Sequence, residues 1–85
     1  MTLAVYVPAV PEFAPVVRTA EAAGMDVRAV GDYLELATAE REVVLRREVT
    51  EMPTAVWHAA LTGGLTGRIV SFTPRILHLA TEDHA

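Results

Sequence analysis

The spacing of apolar residues in the first third of the chain predicts a strand followed by a helix. Residues 2–7 form a β-branched and aromatic run that is typical of a short strand and stops at Pro8. Because proline is tolerated only in the first turn of a helix, Pro15 places the helix start near Ala14. Gly24 is the expected C-cap. Between these limits the apolar residues recur at i, i+3, i+4, i+7 and i+10, which defines one helical face: Phe13, Val16, Val17, Ala20 and Ala23.

A β-hairpin is predicted after this helix. Residues 25–30 and 33–38 form two strand-like runs that are separated only by Gly31 and Asp32. A two-residue connection that contains glycine suits a tight hairpin turn, because glycine adopts positive φ without strain. The two runs are therefore expected to pair antiparallel.

A further strand is predicted beyond the hairpin. Charged residues 39–42 are typical of a turn, and residues 43–47 form another strand-like run. Arg46 and Arg47 close this run and fall on opposite faces of any strand. We therefore expect both arginines at a rim of the domain.

The next segment mixes helix and strand signals. Thr54 follows Pro53 and is expected to cap a short helix. Glycines at positions 63, 64 and 67 then interrupt any regular helix. Residues 55–65 therefore fit either a helix alone or a helix that passes into a strand near residues 59–65.

Two strands are predicted at the end of the chain. Residues 68–72 and 75–80 flank a Thr-Pro turn and are expected to pair antiparallel, and residues 81–85 form a polar, frayed tail. The predicted order is β-α-β-β-(β)-α-β-β, in which the bracketed strand is residues 43–47. We therefore predict a single α+β domain over residues 1–85, a small sandwich of antiparallel or mixed β-strands with two helices.

The size and composition allow one modest core. A domain of 85 residues buries roughly 60–65% of the surface of its unfolded chain. Hydrophobic residues make up 52% of this chain, a high fraction for that size. Either alanine inflates the fraction, or a partner covers part of an apolar surface.

The charge and the termini exclude several classes of partner. The formal net charge is −4, the chain has no lysine, and its arginines are scattered. A nucleic-acid partner is therefore not expected, since phosphate binding needs clustered basic residues. The chain has no cysteine, no basic leader segment and no apolar run that would span a bilayer. These features predict a cytoplasmic protein with no membrane partner.

No group of residues has the spacing of a catalytic, metal or cofactor site. His58, His78 and His84 do not form a pair at metal-ligand spacing, which favours structural or surface roles. The carboxylates of residues 40–51 alternate with arginines, as on a solvated surface. Residues 63–67 are rich in glycine but lack the Lys-Ser/Thr ending of a phosphate loop. We therefore predict no catalytic residue, no metal and no cofactor.

The glycines of residues 63–67 have two interpretations. A glycine in or beside a strand marks either a turn that needs positive φ or a place where another backbone comes close. The second would let a partner approach tightly. The sequence does not choose between them.

Four segments, taken in order, resemble a known family. The chain is similar to the effector, or coupling, proteins of bacterial multicomponent di-iron monooxygenases, the regulatory components of methane, propane, phenol and toluene monooxygenases. The resemblance covers about residues 3–82 and depends on residues 33–36 (Tyr-Leu-Glu-Leu), 41–48 (Arg-Glu-Val-Val-Leu-Arg-Arg-Glu), 65–69 (Leu-Thr-Gly-Arg-Ile) and 76–82 (Ile-Leu-His-Leu-Ala-Thr-Glu).

The resemblance implies a cofactorless α/β protein that is not itself an enzyme. Such a protein docks on the hydroxylase subunit over its di-iron centre and modulates oxygen activation, substrate access and turnover. In the family the small residues before a Gly-Arg pair lie at the docking surface. The candidate partner-binding residues implied here are Gly63, Gly64, Leu65, Thr66, Arg68, Arg46 and Arg47. A weak homodimer is a further possible association.

Two other classes of function stay open. A ferredoxin-like ligand-sensing or dimerisation domain would bury its sheet face against a second copy of the chain. A small enzyme that uses His58 or His78 is the hypothesis that the sequence favours least.

Overall fold

Seven strands and two helices are present in residues 2–82, the part of the chain described by a computed structural model. The elements are β1 (Leu3–Pro8), α1 (Ala14–Ala22), β2 (Asp26–Val30), β3 (Tyr33–Thr38), β4 (Glu42–Arg46), α2 (Thr54–Ala59), β5 (Leu65–Thr66), β6 (Arg68–Phe72) and β7 (Ile76–Ala80). Short 3₁₀ turns, Pro11–Phe13 and Arg47–Val49, precede α1 and follow β4. The predicted α+β class is confirmed, with both helices and the bracketed strand.

Four strands form the first sheet, in the order β2-β3-β1-β5, and every neighbouring pair is antiparallel. β1 and β2 therefore run parallel to each other with β3 between them, and α1 connects them. β3 and β5 are related in the same way across β1, and the connection between them contains β4 and α2. This sheet has the split β-α-β arrangement of ferredoxin-like folds, with β4 as an insertion.

Three antiparallel strands form the second sheet, in the order β4-β7-β6. β4 pairs with β7 along its whole length, from Glu42 opposite Ala80 to Arg46 opposite Ile76. β6 also pairs with β7, and a β-bulge interrupts the register between Ile69 and Ser71. The last two strands thus form the predicted antiparallel pair, but they share a separate sheet with β4.

One continuous apolar core joins the two sheets and both helices. Alternate residues of β1, β3, β4 and β7 point into it, as the period of two in a pleated strand requires. The fully buried large apolar side chains come from every layer: Leu3, Val5, Val7, Val16, Leu36, Leu45, Met52, Trp57, Leu77 and Leu79. Burial of each contributes about 1.5–3 kcal/mol relative to exposure, which makes this cluster the main stabilising feature of the fold.

Helix α1 begins and ends where the sequence predicts. It starts one residue before Pro15, which sits in the first turn where its missing N–H is not needed. After the last turn, Gly24 has a φ of +89°. The Gly24 N–H donates to the Glu21 carbonyl at 3.0 Å, and the Met25 N–H donates to the Ala20 carbonyl at 3.0 Å. These two bonds form a Schellman motif, which requires glycine at this position.

The predicted hairpin is also present. β2 and β3 pair from Asp26 opposite Ala37 to Val30 opposite Tyr33. Gly31 has a φ of +58°, as the first position of a type II′ turn requires. The turn therefore sets the register of the two strands.

Helix α2 differs from the prediction at its start. Pro53 occupies the N-cap position, and Thr54 is the first helical residue and makes no capping bond. The Thr54 hydroxyl instead accepts a hydrogen bond from Arg47 Nη1 at 3.4 Å. Beyond Ala59 the chain turns over residues 60–64 and then enters the two-residue strand β5. A helix followed by a strand is therefore present, but the strand begins later than the predicted residues 59–65.

The start of β4 and the end of β7 also differ from the prediction. In both places the ordered structure extends beyond the predicted limit. Glu42, predicted in a turn, is the first residue of β4. Thr81, predicted in the polar tail, is buried, and its N–H donates to the Arg41 carbonyl at 2.9 Å. Residues 83–85 of that tail lie outside the described residues. Neither helix within residues 2–82 has the length and apolar character needed to cross a bilayer.

Candidate partner-binding surface

The first predicted partner-binding residue, Gly63, lies against β1 of its own chain. A Cβ added there would overlap the Tyr6 carbonyl oxygen and would come within 3.0 Å of Tyr33 Cε2. The Tyr6 N–H donates to the carbonyl of Gly64, the residue after Gly63, at 3.0 Å. The small size of Gly63 therefore serves a close approach within the molecule.

Gly64 and Gly67 are needed for their backbone conformations. Gly64 has a φ of +93°, and a Cβ added to it would meet open space. Gly67 has a φ of +123°, and a Cβ there would lie 2.5 Å from Leu3 Cδ2 and 3.0 Å from the Ala80 carbonyl oxygen. Both interpretations of the glycines, the need for positive φ and the close approach of another backbone, thus apply inside the fold. Of Gly63, Gly64 and Gly67, Gly64 is the exposed residue.

Strand β5 places the next two predicted residues on opposite faces of the first sheet. Leu65 lies opposite Val5, is half-buried and packs against the core. Thr66 lies opposite Ala4 and is exposed. Because β5 is the last strand of its sheet, its outer edge faces away from β1. Thr66 is therefore accessible to a partner, whereas Leu65 is held by the core.

Strand β6 continues this accessible stretch. Arg68 begins the strand opposite Ala80, and the next two residues, Ile69 and Val70, are 47% and 44% exposed. β6 is the outer strand of the second sheet, so the chain follows the edges of both sheets in turn. We define the β5–β6 surface as the exposed residues of this stretch: Gly64, Thr66, Arg68, Ile69 and Val70.

Ile69 and Val70 were not among the predicted partner-binding residues. A β-branched pair inside a strand normally predicts burial. The bulge at this position changes which side chains the strand presents, and nothing in the local sequence indicates it. The high apolar fraction of the whole chain was the sequence signal for an exposed apolar surface, but it did not indicate which strand carries that surface.

Arg46 and Arg47 lie away from the β5–β6 surface. Arg46 is opposite Ile76 and Arg68 is opposite Ala80, so the two arginines are at opposite ends of β7. The ends are separated by about 13 Å along the strand at 3.3 Å per residue. β4 and β6 are also on opposite sides of β7. The structure therefore divides the predicted residues into two separate groups.

The side chain of Arg47 is occupied within the domain. Its Nε donates to the Pro74 carbonyl at 2.7 Å, and its Nη1 donates to the Met52 carbonyl at 3.0 Å. These bonds connect the turn after β4 to the β6–β7 turn and to the approach to α2. Arg46, by contrast, is exposed. Arg47 thus has a structural role, and its neighbour is the more accessible of the two.

The two described histidines make contacts of an ordinary kind. His58 is exposed on α2, with its ring edge-on to Phe72 at a centroid distance of 6.3 Å. His78 Nε2 lies 3.0 Å from Glu42 Oε1, across the outer face of the second sheet. His84 lies outside the described residues. Within residues 2–82, no group of three or more His, Asp or Glu side chains has the geometry to hold a metal ion.

An apolar groove of about 400 Å³ lies beside α1. Its apolar lining includes Val17 of the helix and Leu34 of β3, together with Ala9 and Val10. Arg18 is the charged residue of the lining. Its guanidinium makes no hydrogen bond or ion pair with any other residue of the described chain. The groove therefore combines an apolar surface with one accessible cation.

Comparison with known proteins identified no relative of the chain. No protein-family model, no curated protein and no solved structure matches it.

Proposed function

We propose that this protein is a non-enzymatic regulatory component that docks on the hydroxylase of a soluble di-iron monooxygenase and modulates its oxygen activation, substrate access and turnover. The observation that carries the proposal is the position of the exposed apolar pair, Ile69 and Val70. It directly follows Gly64, Thr66 and Arg68, the accessible members of the group that the family resemblance implies at a docking surface.

The four segments that carry the resemblance lie on the five strands from β3 to β7. Residues 33–36 are in β3, residues 41–48 span β4 and its following turn, residues 65–69 span β5 and β6, and residues 76–82 begin with β7. They belong to both sheets and surround the shared core.

A protein of this kind acts by binding one conformation of its partner more tightly than another. A tenfold difference in affinity for two hydroxylase conformations shifts their equilibrium by about 1.4 kcal/mol. The surface that makes the contact needs shape and apolar area, and needs no reacting group. The exposed edge of β6 offers that kind of surface next to the backbone of β5.

The direct test is titration of the protein into its cognate hydroxylase. We expect a saturable change in turnover rate, in product distribution or in the release of hydrogen peroxide. Unchanged values of all three at saturating concentration would contradict the proposal.

Substitution of Ile69 by glutamate should weaken docking at the β5–β6 surface. Ile69 is 47% exposed, so the charge is expected to change the free energy of unfolding by only about 0.5 kcal/mol. A desolvated carboxylate at a contact is unfavourable, and we expect the half-saturating concentration in the hydroxylase titration to rise at least about tenfold.

Val49→Glu is the matched control for this substitution. Val49 is 55% exposed and lies beside Arg46 and Arg47, the other group of predicted residues. Its substitution should leave the titration unchanged. A strong effect of Val49→Glu with none from Ile69→Glu would contradict docking through the β5–β6 surface.

A second candidate function is ligand sensing, which the groove beside α1 favours. Its volume of about 400 Å³ is within the range of small-molecule sites. Apolar walls and one accessible guanidinium suit a small amphipathic carboxylate. The first sheet also has the ferredoxin-like strand order expected for a ligand-sensing domain of this class.

Octanoate is a suitable probe of this second function. At ten times its dissociation constant, a ligand that binds only the folded state stabilises it by about 1.4 kcal/mol. For a domain of this size we expect Tm to rise by about 5–10 °C in a thermal melt. The Arg18→Gln variant should lose this rise while keeping its own Tm without ligand. An equal rise in both proteins, or in neither, would contradict the proposed carboxylate site.

A further inference from the structure

Strand β2 is the open edge of the first sheet. All five of its residues are exposed, and within residues 2–82 it pairs only with β3, in a register without a bulge. The other sheet edges are less suited to pairing with a further strand. β5 has two residues, β6 carries a bulge, and α1 lies beside β4, where Thr19 and Ala22 share a cleft with Val44. A regular and open edge favours pairing with another strand.

We infer that β2 pairs antiparallel with β2 of a second copy of this chain, in a register centred on Val27. The choice of a second copy as the partner follows from the outward-facing backbone groups of β2 and from its two charged residues, Asp26 and Arg28. The inference is independent of the proposed docking function, because β2 and β5 are opposite edges of the first sheet.

The hairpin turn determines which backbone groups of β2 face outward. The two-residue turn at Gly31 makes Val30 and Tyr33 a hydrogen-bonded pair. Hydrogen-bonded and non-hydrogen-bonded pairs alternate along an antiparallel ladder, so Arg28 also bonds to β3. The N–H and C=O groups of Val27 and Ala29 therefore point away from β3 and are available to a second strand.

Charge selects among the two-fold registers that these groups allow. A register centred on Arg28 places Arg28 directly opposite its own copy, and like charges in that position are unfavourable. A register centred on Ala29 places Asp26 opposite Asp32 of the second copy. A register centred on Val27 instead places Asp26 opposite Arg28 of the second copy, twice, in non-hydrogen-bonded pairs where side chains approach most closely.

The existing contacts of these residues suit this arrangement. Arg28 Nη2 lies 3.0 Å from Glu35 Oε1, and Tyr6 Oη donates to Glu35 Oε2 at 2.9 Å. Arg28 is thus held on the outer face of the sheet while its side chain stays 72% exposed. Asp26 makes no ion pair with any other described residue. The second copy would supply its partner and extend the same polar row.

In the resulting dimer, the first sheet of one copy and the first sheet of the other join through their β2 strands into one continuous sheet. β5 lies at each end of it, so both β5–β6 surfaces stay accessible. The contact is one strand pair with two exposed ion pairs, which is at the small end of specific interfaces. We therefore expect a weak dimer that forms at high concentration.

Sedimentation over about 10 µM to 1 mM protein tests the association and its charge dependence. Asp26→Arg should raise the dissociation constant at least tenfold, and the double variant Asp26→Arg, Arg28→Asp should return it to within about threefold of the parent. Circular dichroism checks that each variant is folded. A parent protein that stays monomeric throughout, or an Asp26→Arg variant that dimerises like the parent, would overturn the inference.

Single cysteines test the register directly, since the chain has none of its own. Under mild oxidation Val27→Cys should form a disulfide-linked dimer, because directly opposite residues have Cα atoms about 5.5 Å apart. Arg28→Cys or Ala29→Cys reacting faster than Val27→Cys would indicate one of the other registers and overturn this one. Glu12→Cys, on the exposed turn before α1, sets the rate of random collision. A Val27→Cys rate no higher than this control would also overturn the inference.

Discussion

Trp57→Ala is expected to remove a large share of the stability of this domain. Trp57 is 1% exposed, packs against Phe72 at a ring-centroid distance of 5.7 Å, and donates from Nε1 to the Thr73 carbonyl at 2.7 Å. Truncation of a buried aromatic residue to alanine costs about 3–5 kcal/mol. A domain of this length has a total free energy of unfolding of about 4–13 kcal/mol. Urea denaturation followed by circular dichroism measures the loss.

His58→Ala is the matched control on the same helix. His58 is exposed and touches Phe72 only with the edge of its ring, so its removal should change the free energy of unfolding by less than about 1 kcal/mol. Trp57→Phe should fall between the two, since it keeps an aromatic ring but loses the bond to Thr73. Equal costs for Trp57→Ala and His58→Ala would contradict the packing described for α2.

Gly63→Ala should destabilise the domain strongly through one added methyl group. The new Cβ would overlap the Tyr6 carbonyl, which belongs to the middle of β1 and cannot move without shifting the sheet. Overpacking of this kind costs typically 1–3 kcal/mol, and we expect about 3 kcal/mol because the obstacle is backbone. Chemical denaturation of the purified variant provides the measurement.

Gly64→Ala separates this steric effect from the cost of positive φ. Gly64 is the next residue, has a φ of +93° and has open space where its Cβ would lie. Only the left-handed conformation is penalised there, by about 1–2 kcal/mol. If Gly63→Ala proved as stable as the parent but failed in the hydroxylase titration, the small size of Gly63 would serve a partner rather than the Tyr6 contact.

Features set by local chemistry could be predicted from the sequence. The limits of α1 follow from Pro15 and Gly24, which act through proline geometry and positive φ within one turn of the helix. The β2–β3 hairpin likewise follows from Gly31 at a two-residue turn. In each case the residues that determine the structure are neighbours in the chain.

The division into two sheets depends on contacts between distant residues and could not be predicted in this way. The turn before Glu42 indicates that the chain changes direction, but it does not indicate that β4 leaves the first sheet and pairs with β7. The bulge beside Ile69 arises from pairing as well. Ile69 and Val70, which a strand pattern places in the core, are exposed.

The candidate surface shows the same limit. A glycine such as Gly63 is compatible with a turn, a close internal contact or a partner contact, and only the position of Tyr6 distinguishes them. Arg47 likewise reads as a surface charge, yet its bonds to Pro74 and Met52 come from residues that the sequence does not place beside it.

The pairing of β4 has a consequence for how the protein is made. Its ladder partner is β7, the last strand of the described chain. Before β7 has been synthesised, β4 has no strand to pair with, whereas β2 and β3 are neighbours in the chain and can pair early. The second sheet can therefore close only after synthesis has passed Ala80, and a nascent chain stalled before that residue would present β4 as an unpaired, aggregation-prone segment to chaperones.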